Sequence, residues 1–340
     1  MLQLLRYILF PVSLLYAVVV HIRNYLFDIG IFRFEKFSTP TITIGNLSVG
    51  GTGKTPMTAY LIELLGSEYK IAVLSRGYKR KSKGFVLADD NSKVSDLGDE
   101  PYQIANKYPN IVVAVDTNRR NGIRELEKRI ELDLILLDDA YQHRWVKSDS
   151  YVLLTSFDAL YPNDWYLPTG NLRDSKSQSK RADFIVVTKC PELPSSAIRT
   201  KILRKLKPKT NQKVVFGTLK YEDHFIGLNG KMEFDDLRGN NIALVTGIAN
   251  PKPLVEFLSG KGVTFEHLKF SDHHSFTDSE INNFRAYDLV LTTEKDFVRF
   301  ENRLNNAYHL GVKHSFTPQD KEVILNMVRQ VLKPVLQSSS

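Results

Sequence analysis

The stretch Ser48-Val49-Gly50-Gly51-Thr52-Gly53-Lys54-Thr55 constrains this chain more than any other. Ahead of it, Thr41-Ile42-Thr43-Ile44 alternates as a strand; behind it, a helical pattern runs from Pro56 to Leu65. Glycines let backbone N–H groups wrap phosphate oxygens, and the following helix adds the positive end of its dipole. In such a loop Lys54 reaches the β- and γ-phosphates, and the Thr55 hydroxyl takes a place on Mg²⁺. The strict motif has Gly where this chain has Ser48, but Gly50-Gly51 supplies the backbone freedom. A purely structural glycine turn is the competing reading. The strand before and the helix after favour a nucleotide site.

A second half of such a site follows as Leu134-Ile135-Leu136-Leu137-Asp138-Asp139. A continuous apolar run reads as a strand buried on both faces of a parallel sheet. An acid at its end puts a carboxylate at the metal of a phosphoryl-transfer site, although an acidic strand end can also be a solvated turn. Two halves of one site in one chain point to Mg-ATP or Mg-GTP. No Asn-Lys-x-Asp marks a guanine pocket, and Thr293-Glu294-Lys295-Asp296 is only a distant echo of one. ATP is the expected nucleotide.

Further strands are predicted at Lys70–Leu74, Asn110–Val115, Leu132–Leu137, Tyr151–Thr155 and Phe184–Thr188, with helical stretches between several of them. Residues 173–181 are polar and read as a loop. Near 213–234 the texture changes: Lys213–Phe225 and Lys231–Phe234 flank Asn229-Gly230, a hairpin-turn signal. Ile242–Val245 and Asp288–Thr292 then resume the buried-strand pattern, with helices near 251–260, 278–287 and 320–336. The expected architecture is α/β: a P-loop NTPase-like α/β/α sandwich over 30–212 and a smaller α/β domain over 237–340. A two-stranded hairpin linker over 213–236 joins them, and a helical segment over 1–29 precedes them.

From Tyr7 to Val20 the chain carries no charge, short of the roughly 20 apolar residues a spanning helix needs. The single basic residue Arg6 and the lack of an A-x-A site argue against a signal peptide. Pro11 suits a first helical turn, and Leu14, Val18, Ile22 and Leu26 then stack on one face. With Arg6, His21, Arg23, Arg33 and Lys36 around it, this fits a helix lying in an anionic leaflet. It equally fits a helix packed on the core or on a partner. The net charge of +8 asks for an anion, whether nucleic acid, nucleotide phosphate or membrane surface. A lone cysteine, Cys190, excludes an internal disulfide framework and a multi-cysteine zinc site, as in a reducing cytosol.

Gly98-Asp99-Glu100-Pro101 sets two acids before a proline. They are either ordinary first-turn helix residues or carboxylates aimed at an acceptor hydroxyl. A histidine to orient or share that proton is available in Asp272-His273-His274, just ahead of a capping box at Thr277 and Glu280. Adjacent histidines without cysteines make a poor zinc site.

Taken together these segments resemble the tetraacyldisaccharide 4′-kinases, the lipid A 4′-kinases of lipopolysaccharide biosynthesis. The matching stretches begin with Gly45-Asn46, the loop Val49 to Pro56, Ser75-Arg76-Gly77-Tyr78-Lys79-Arg80 and Gly98-Asp99-Glu100-Pro101. They continue in order with Leu137-Asp138-Asp139-Ala140-Tyr141-Gln142-His143-Arg144, residues 167–173, residues 245–251, Asp272-His273-His274 and Thr293-Glu294-Lys295-Asp296. The phosphate loop alone is unspecific, whereas the ordered set is specific and covers most of the chain.

The resemblance implies a membrane-associated kinase moving the γ-phosphate of ATP to the 4′-hydroxyl of a tetraacylated glucosamine disaccharide 1-phosphate, giving lipid IVA. It implies two α/β domains joined by a two-stranded linker, with Asp99 as the acceptor-activating carboxylate and His273 as its partner. Asp138, Asp139 and Thr55 would serve Mg²⁺, and Lys54 the phosphates. Arg76, Lys79, Arg80, Lys81, Lys83 and Glu100 become candidates for the substrate or lipid headgroups, and Arg119 and Arg173 for steadying phosphate charge. A solvated positive face is the alternative for each cation. The expected partners are the lipid acceptor and the anionic, cytoplasmic face of the inner membrane, with neither nucleic acid nor an obligate protein partner. A nucleotide-dependent binding switch and a nucleic-acid-associated ATPase are the rival functions. Acyl-chain number, depth of helix insertion, oligomeric state and the role of residues 293–296 are not fixed by the sequence.

Overall fold

The structure, a computed structural model, describes residues 6, 8–66 and 68–338. Tyr7, residues 1–5 of the expected N-terminal segment and residues 339–340 of the expected second domain lie outside them. In chain order the strands are β1 (Thr41–Asn46), β2 (Ile71–Ser75), β3 (Val86–Leu87), β4 (Val112–Val115), β5 (Leu134–Leu137), β6 (Ser150–Ser156) and β7 (Phe184–Cys190). They continue as β8 (Lys213–Gly227), β9 (Gly230–Glu233), β10 (Ile242–Thr246), β11 (Glu266–Lys269), β12 (Leu289–Thr293) and β13 (Ala307–Phe316). All belong to one sheet of order β3-β4-β2-β5-β1-β6-β7-β8-β13-β12-β10-β11, with β9 paired to β8. Pairing is parallel except at β3–β4, β8–β9 and β8–β13.

The period of two in the strands explains the layers. In β5, Leu134 and Leu136 enter one core with Met57, Leu61 and Ile62, while Ile135 and Leu137 enter another with Ile123 and Leu126. In β10, Ile242 and Leu244 likewise part from Ala243 and Val245. Helices therefore cover both faces, as expected of an α/β sandwich. β1 lies between β5 and β6, and the chain leaves it first towards β2 on one side and later returns as β6 on the other. A crevice at the carboxyl end of such a central strand is where ligands of open α/β sheets bind. The loop of residues 48–53 occupies it.

Three expectations need correction. The strands crossing between the lobes are β8 and β13, not the two arms of the hairpin. The first part of β8 pairs with β7, its end pairs with β9, and β13 runs antiparallel along most of it. Asn229-Gly230 is a local signal, whereas the β8–β13 pairing joins distant parts of the chain. Nor does the C-terminal helix Pro318–Ser338 stay with the second lobe. Its Ile324, Met327, Val328, Val331 and Leu332 complete the first lobe's core against Met57 and Leu61. Finally, residues 173–181 are not a free polar loop: Asp174 and Gln178 are buried, and Lys176–Arg181 forms a 3₁₀ turn.

The N-terminal helix Phe10–Asp28 runs beyond the uncharged stretch, so by length and composition it is long enough to cross a membrane. Leu14, Val18 and Ile22 on the anticipated apolar face are exposed, as are Val12, Leu15 and Val19. The buried residues are Ser13, Val20, Asn24 and Phe27, a stripe at helical spacing on the other side.

Candidate active site

Both sides of the phosphate loop are held by polar side chains. Asn46 at the end of β1 donates to Thr52 Oγ1 at 2.7 Å, and Thr188 on β7 donates its hydroxyl to the Thr52 carbonyl at 2.8 Å. Gly53 sits at φ +82°, and a Cβ there would approach His314 Nε2 to 3.2 Å. That His314, on β13, hydrogen-bonds the Gly53 carbonyl at 3.1 Å, and burial lowers its pKa to about 4, so it stays neutral and donates. The helix Lys54–Leu65 begins directly after the loop and points its amide end at the crevice.

Across the crevice, β5 delivers Asp138 and Asp139. Burial, then the charge of Asp139, pushes the Asp138 carboxyl up to about 6. Among the described residues its only side-chain donor is the Thr58 hydroxyl at 3.1 Å. Burial also works against ionised Asp139, but Lys54, with its Nζ at 3.7 Å, and the Arg173 guanidinium hold that carboxyl below its ordinary range. Arg119, almost wholly buried, donates to the Asp116 carbonyl at 2.7 Å and to the Asp138 carbonyl at 3.4 Å. A divalent cation suits this corner: Thr55, Asp138 and Asp139 offer hard oxygen ligands, and the buried Asp138 carboxyl has no ion-pair partner among the described residues.

The second cluster joins the lobes. Gly98, at φ +87° with the Tyr78 carbonyl 2.7 Å from any added Cβ, turns the chain into the helix Asp99–Lys107 and sets Asp99 at its first position. From the second lobe, His273 Nδ1 lies 2.9 Å from Asp99 Oδ2, and Arg299 donates to the same oxygen from Nη2 at 2.7 Å and Nε at 3.0 Å. Lys295 Nζ sits 3.2 Å from His273 Nε2 and 2.8 Å from Glu100 Oε1. An ionised carboxylate can only accept, so the His273 Nδ1 contact with Asp99 is a donation from the imidazole, and Arg299 Nη2 also lies 3.2 Å from that nitrogen. Among the described residues nothing donates to Asp99 Oδ1. Wholly buried Asp296 anchors the cluster, accepting from the Gly247 amide at 2.9 Å and from Arg299 Nη1 at 2.6 Å. Glu294 binds Lys107 at 2.7 Å and Gln103 at 3.2 Å on the Asp99 helix. Residues 293–296 are thus an inter-lobe clamp.

The family model for tetraacyldisaccharide-1-P 4′-kinase matches residues 5–332. The chain belongs to the tetraacyldisaccharide 4′-kinase family. A 4′-kinase of Flavobacterium johnsoniae is 46% identical over 98% of this chain and all of that one. One of Bacteroides thetaiotaomicron is 42% identical over 86% of this chain and 82% of that protein. The crystal structure of an "apo" form of LpxK from Aquifex aeolicus in complex with ATP superposes with a TM-score of 0.79 at 27% identity, covering 96% of this chain and 99% of that one.

Within this tetraacyldisaccharide 4′-kinase family member, Asp99 meets His273, and Lys54, Arg173, Asp138 and Asp139 converge. Thr55 lines a small crevice with Gln103, Lys107 and Glu294, between the phosphate loop and the clamp. Arg76 and Lys79 are exposed. Arg80 instead holds its own loop, donating to the Val115 carbonyl at 3.3 Å and to Ser82 Oγ at 3.2 Å, and Arg119 buttresses the end of β5. Both guanidiniums are engaged by groups of their own lobe, while Arg119 Nε has no partner among the described residues. The sequence reading overlooked Arg299 and His314, and it singled out Lys295 within residues 293–296 without giving it a role. The Asp296–Arg299 spacing of three, which suits a pair on one helix face, was the available signal for the first; His314 had none.

Burial opposes ionised Asp99, yet hydrogen bonds from His273 and Arg299, with the charges of Arg299 and Lys295, lower it from 3.8 to about 2. A depressed carboxyl contributes stability that is complete above its ordinary value and is lost as the pH falls through the folded value. The melting-temperature gap between the kinase and its Asp99→Asn variant should therefore be full at neutral pH and close between roughly pH 5 and pH 2. A gap that stayed constant over that window would refute the assignment of these contacts to the ionised form.

Proposed function

We propose that this enzyme transfers the γ-phosphate of ATP to the 4′-hydroxyl of a tetraacylated glucosamine disaccharide 1-phosphate, forming lipid IVA for lipid A at the cytoplasmic face of the inner membrane. The observation that carries the reading is Asp99. Its Oδ2 is held by the second lobe while Oδ1 faces no donor among the described residues, beside a phosphate loop with a carboxylate pair.

In this reading Ser48, Val49, Gly50, Gly51, Thr52 and Gly53 wrap the phosphates through backbone N–H groups, and Lys54 neutralises the β/γ oxygens. Thr55, Asp138 and Asp139 would hold Mg²⁺, which would supply charge neutralisation for the phosphoryl group. Arg173 swings from Asp139 to the triphosphate, bringing a bidentate fork. Asp99 Oδ1 accepts the hydrogen of the 4′-hydroxyl and aims its lone pair at phosphorus. A carboxyl titrating at about 2 is a weak base, so the proton moves only after the new P–O bond has made that oxygen acidic. His273 and Arg299 hold the carboxylate in place. Arg76, Lys79 and Glu100 remain acceptor-contacting candidates.

The exposed apolar side of the helix Phe10–Asp28, with Trp165 beside Phe10, supports seating in a bilayer whose anionic headgroups suit the +8 charge. The acceptor's acyl chains then need not leave the membrane.

The test is incubation with radiolabelled ATP and a panel of acceptors. Label in the lipid disaccharide is expected, and Lys54→Ala should abolish it. Label appearing only as inorganic phosphate, or turnover stimulated by nucleic acid, would favour a switch or a nucleic-acid ATPase instead.

A further inference from the structure

One segment, residues 164–174, touches both the N-terminal helix and the phosphate loop. On its outer side, Ser13 donates its hydroxyl to Thr169 Oγ1 at 2.8 Å and accepts from the Thr169 amide at 3.0 Å. Tyr16 donates its hydroxyl to the Arg173 carbonyl at 3.0 Å. Asn24 and Arg23 donate to the two oxygens of Asp174 at 2.8 and 3.0 Å, and that carboxylate is wholly buried. On its inner side the Val49 amide donates to the Asn171 carbonyl at 2.7 Å, Ser48 donates to Asp164 Oδ2 at 3.1 Å, and the Arg173 amide donates to the Leu47 carbonyl at 2.8 Å. The Arg173 side chain reaches Asp139 and Asn46.

A helix that served only as an anchor would have no use for buried polar groups, which are costly unless paired and which fix geometry when they are. Ser13, Tyr16 and Asn24 recur at helical spacing, so a shift by one turn would unpair them together. We infer that the helix Phe10–Asp28 is part of the nucleotide site: its polar seam positions Arg173 and the start of the phosphate loop, so residues that never touch ATP set its affinity. This rests on the placement of ATP at the phosphate loop proposed above. Ser13, Tyr16 and Asn24 are positioning residues, and the opposite, apolar face of the same helix has no part in this task.

The experiment uses the full chain and the variants Tyr16→Phe and Ser13→Ala. Tyr16→Phe deletes one hydroxyl from a half-exposed ring and leaves folding intact. Tyr16→Phe, which loses one hydrogen bond, should raise the KM for ATP, and the Kd of a fluorescent ATP analogue measured without acceptor or lipid, by about fivefold, and Ser13→Ala, which loses two, by at least as much. The acceptor KM should stay unchanged. Leu15→Ser and Val18→Ser, on the exposed face, should leave the analogue's Kd unchanged. Seam variants that fold, with wild-type Kd, would overturn the inference. So would a fall in kcat at constant ATP KM, the mark of a smaller folded fraction, or equal weakening by the apolar-face variants. Failure of the underlying reading looks different: the unaltered chain would not bind the analogue, or Lys54→Ala would bind it as well as the unaltered chain does.

Discussion

Replacing Asp99 by alanine is expected to lower kcat by about 10²–10⁴-fold while the KM for ATP stays near its original value. The size follows from what is lost. Oδ1 is the carboxylate oxygen with no donor among the described residues, and it belongs to a group whose other oxygen is fixed by His273 and two nitrogens of Arg299. Alanine removes both the acceptor for the hydroxyl proton and its orientation, but none of the loop that wraps the nucleotide. His273→Ala should have a smaller effect, because Arg299 still holds Oδ2. Steady-state kinetics with the lipid acceptor, alongside binding of an ATP analogue, reads both predictions. A kcat within tenfold of the starting enzyme, or a loss confined to ATP binding, would remove Asp99 from the acceptor side.

The second large effect is on stability. Arg299→Ala should cost about 3–5 kcal/mol, since it removes one partner of a buried ion pair and leaves the other uncompensated. The Arg299 side chain is 5% exposed and that of Asp296 is 0% exposed. The same guanidinium reaches Asp99, Asp296 and the Gly247 carbonyl, so a lysine, with one compact charge, cannot span all three. Denaturant unfolding of Arg299→Ala, Arg299→Lys and the double variant Arg299→Met/Asp296→Leu should separate the terms. Replacing both partners by apolar groups should recover much of the loss. A destabilisation below about 1 kcal/mol in Arg299→Ala, the range of an exposed pair, would show that the cluster is open to solvent.

The pieces legible in the sequence were those whose physics is local. A glycine-rich turn between strand and helix, an apolar strand ending in two acids, and Thr277 with Glu280 as a capping box all emerge as read. The Asp99–His273 pair was suggested by the order of motifs, and no local rule could have joined residues so far apart. What local patterning missed are long-range contacts made by ordinary-looking residues. Arg299 lies on a short helix beside Asp296, and only the long-range pairing of β13 with β8 sets its lobe against Asp99. His314 looks like any strand histidine until β13 passes beneath Gly53. The N-terminal helix was read from its apolar side, Leu14, Val18 and Ile22, although the stripe that docks it is Ser13, Asn24 and Phe27. Apolar periodicity locates the face that shuns water, and says nothing of a polar seam until its partners are known.

The helix Pro318–Ser338 has a consequence for how the molecule is made. The wall of the first lobe that holds Met57, Leu61 and Val73 stays incomplete until Ile324, Val328 and Leu332 arrive, after every strand of the second lobe has been threaded. During synthesis, then, the nucleotide lobe emerges first and closes last. For most of translation its unfinished apolar wall is open to solvent or to chaperones. A chain halted anywhere before residue 318 lacks the helix that encloses the nucleotide lobe.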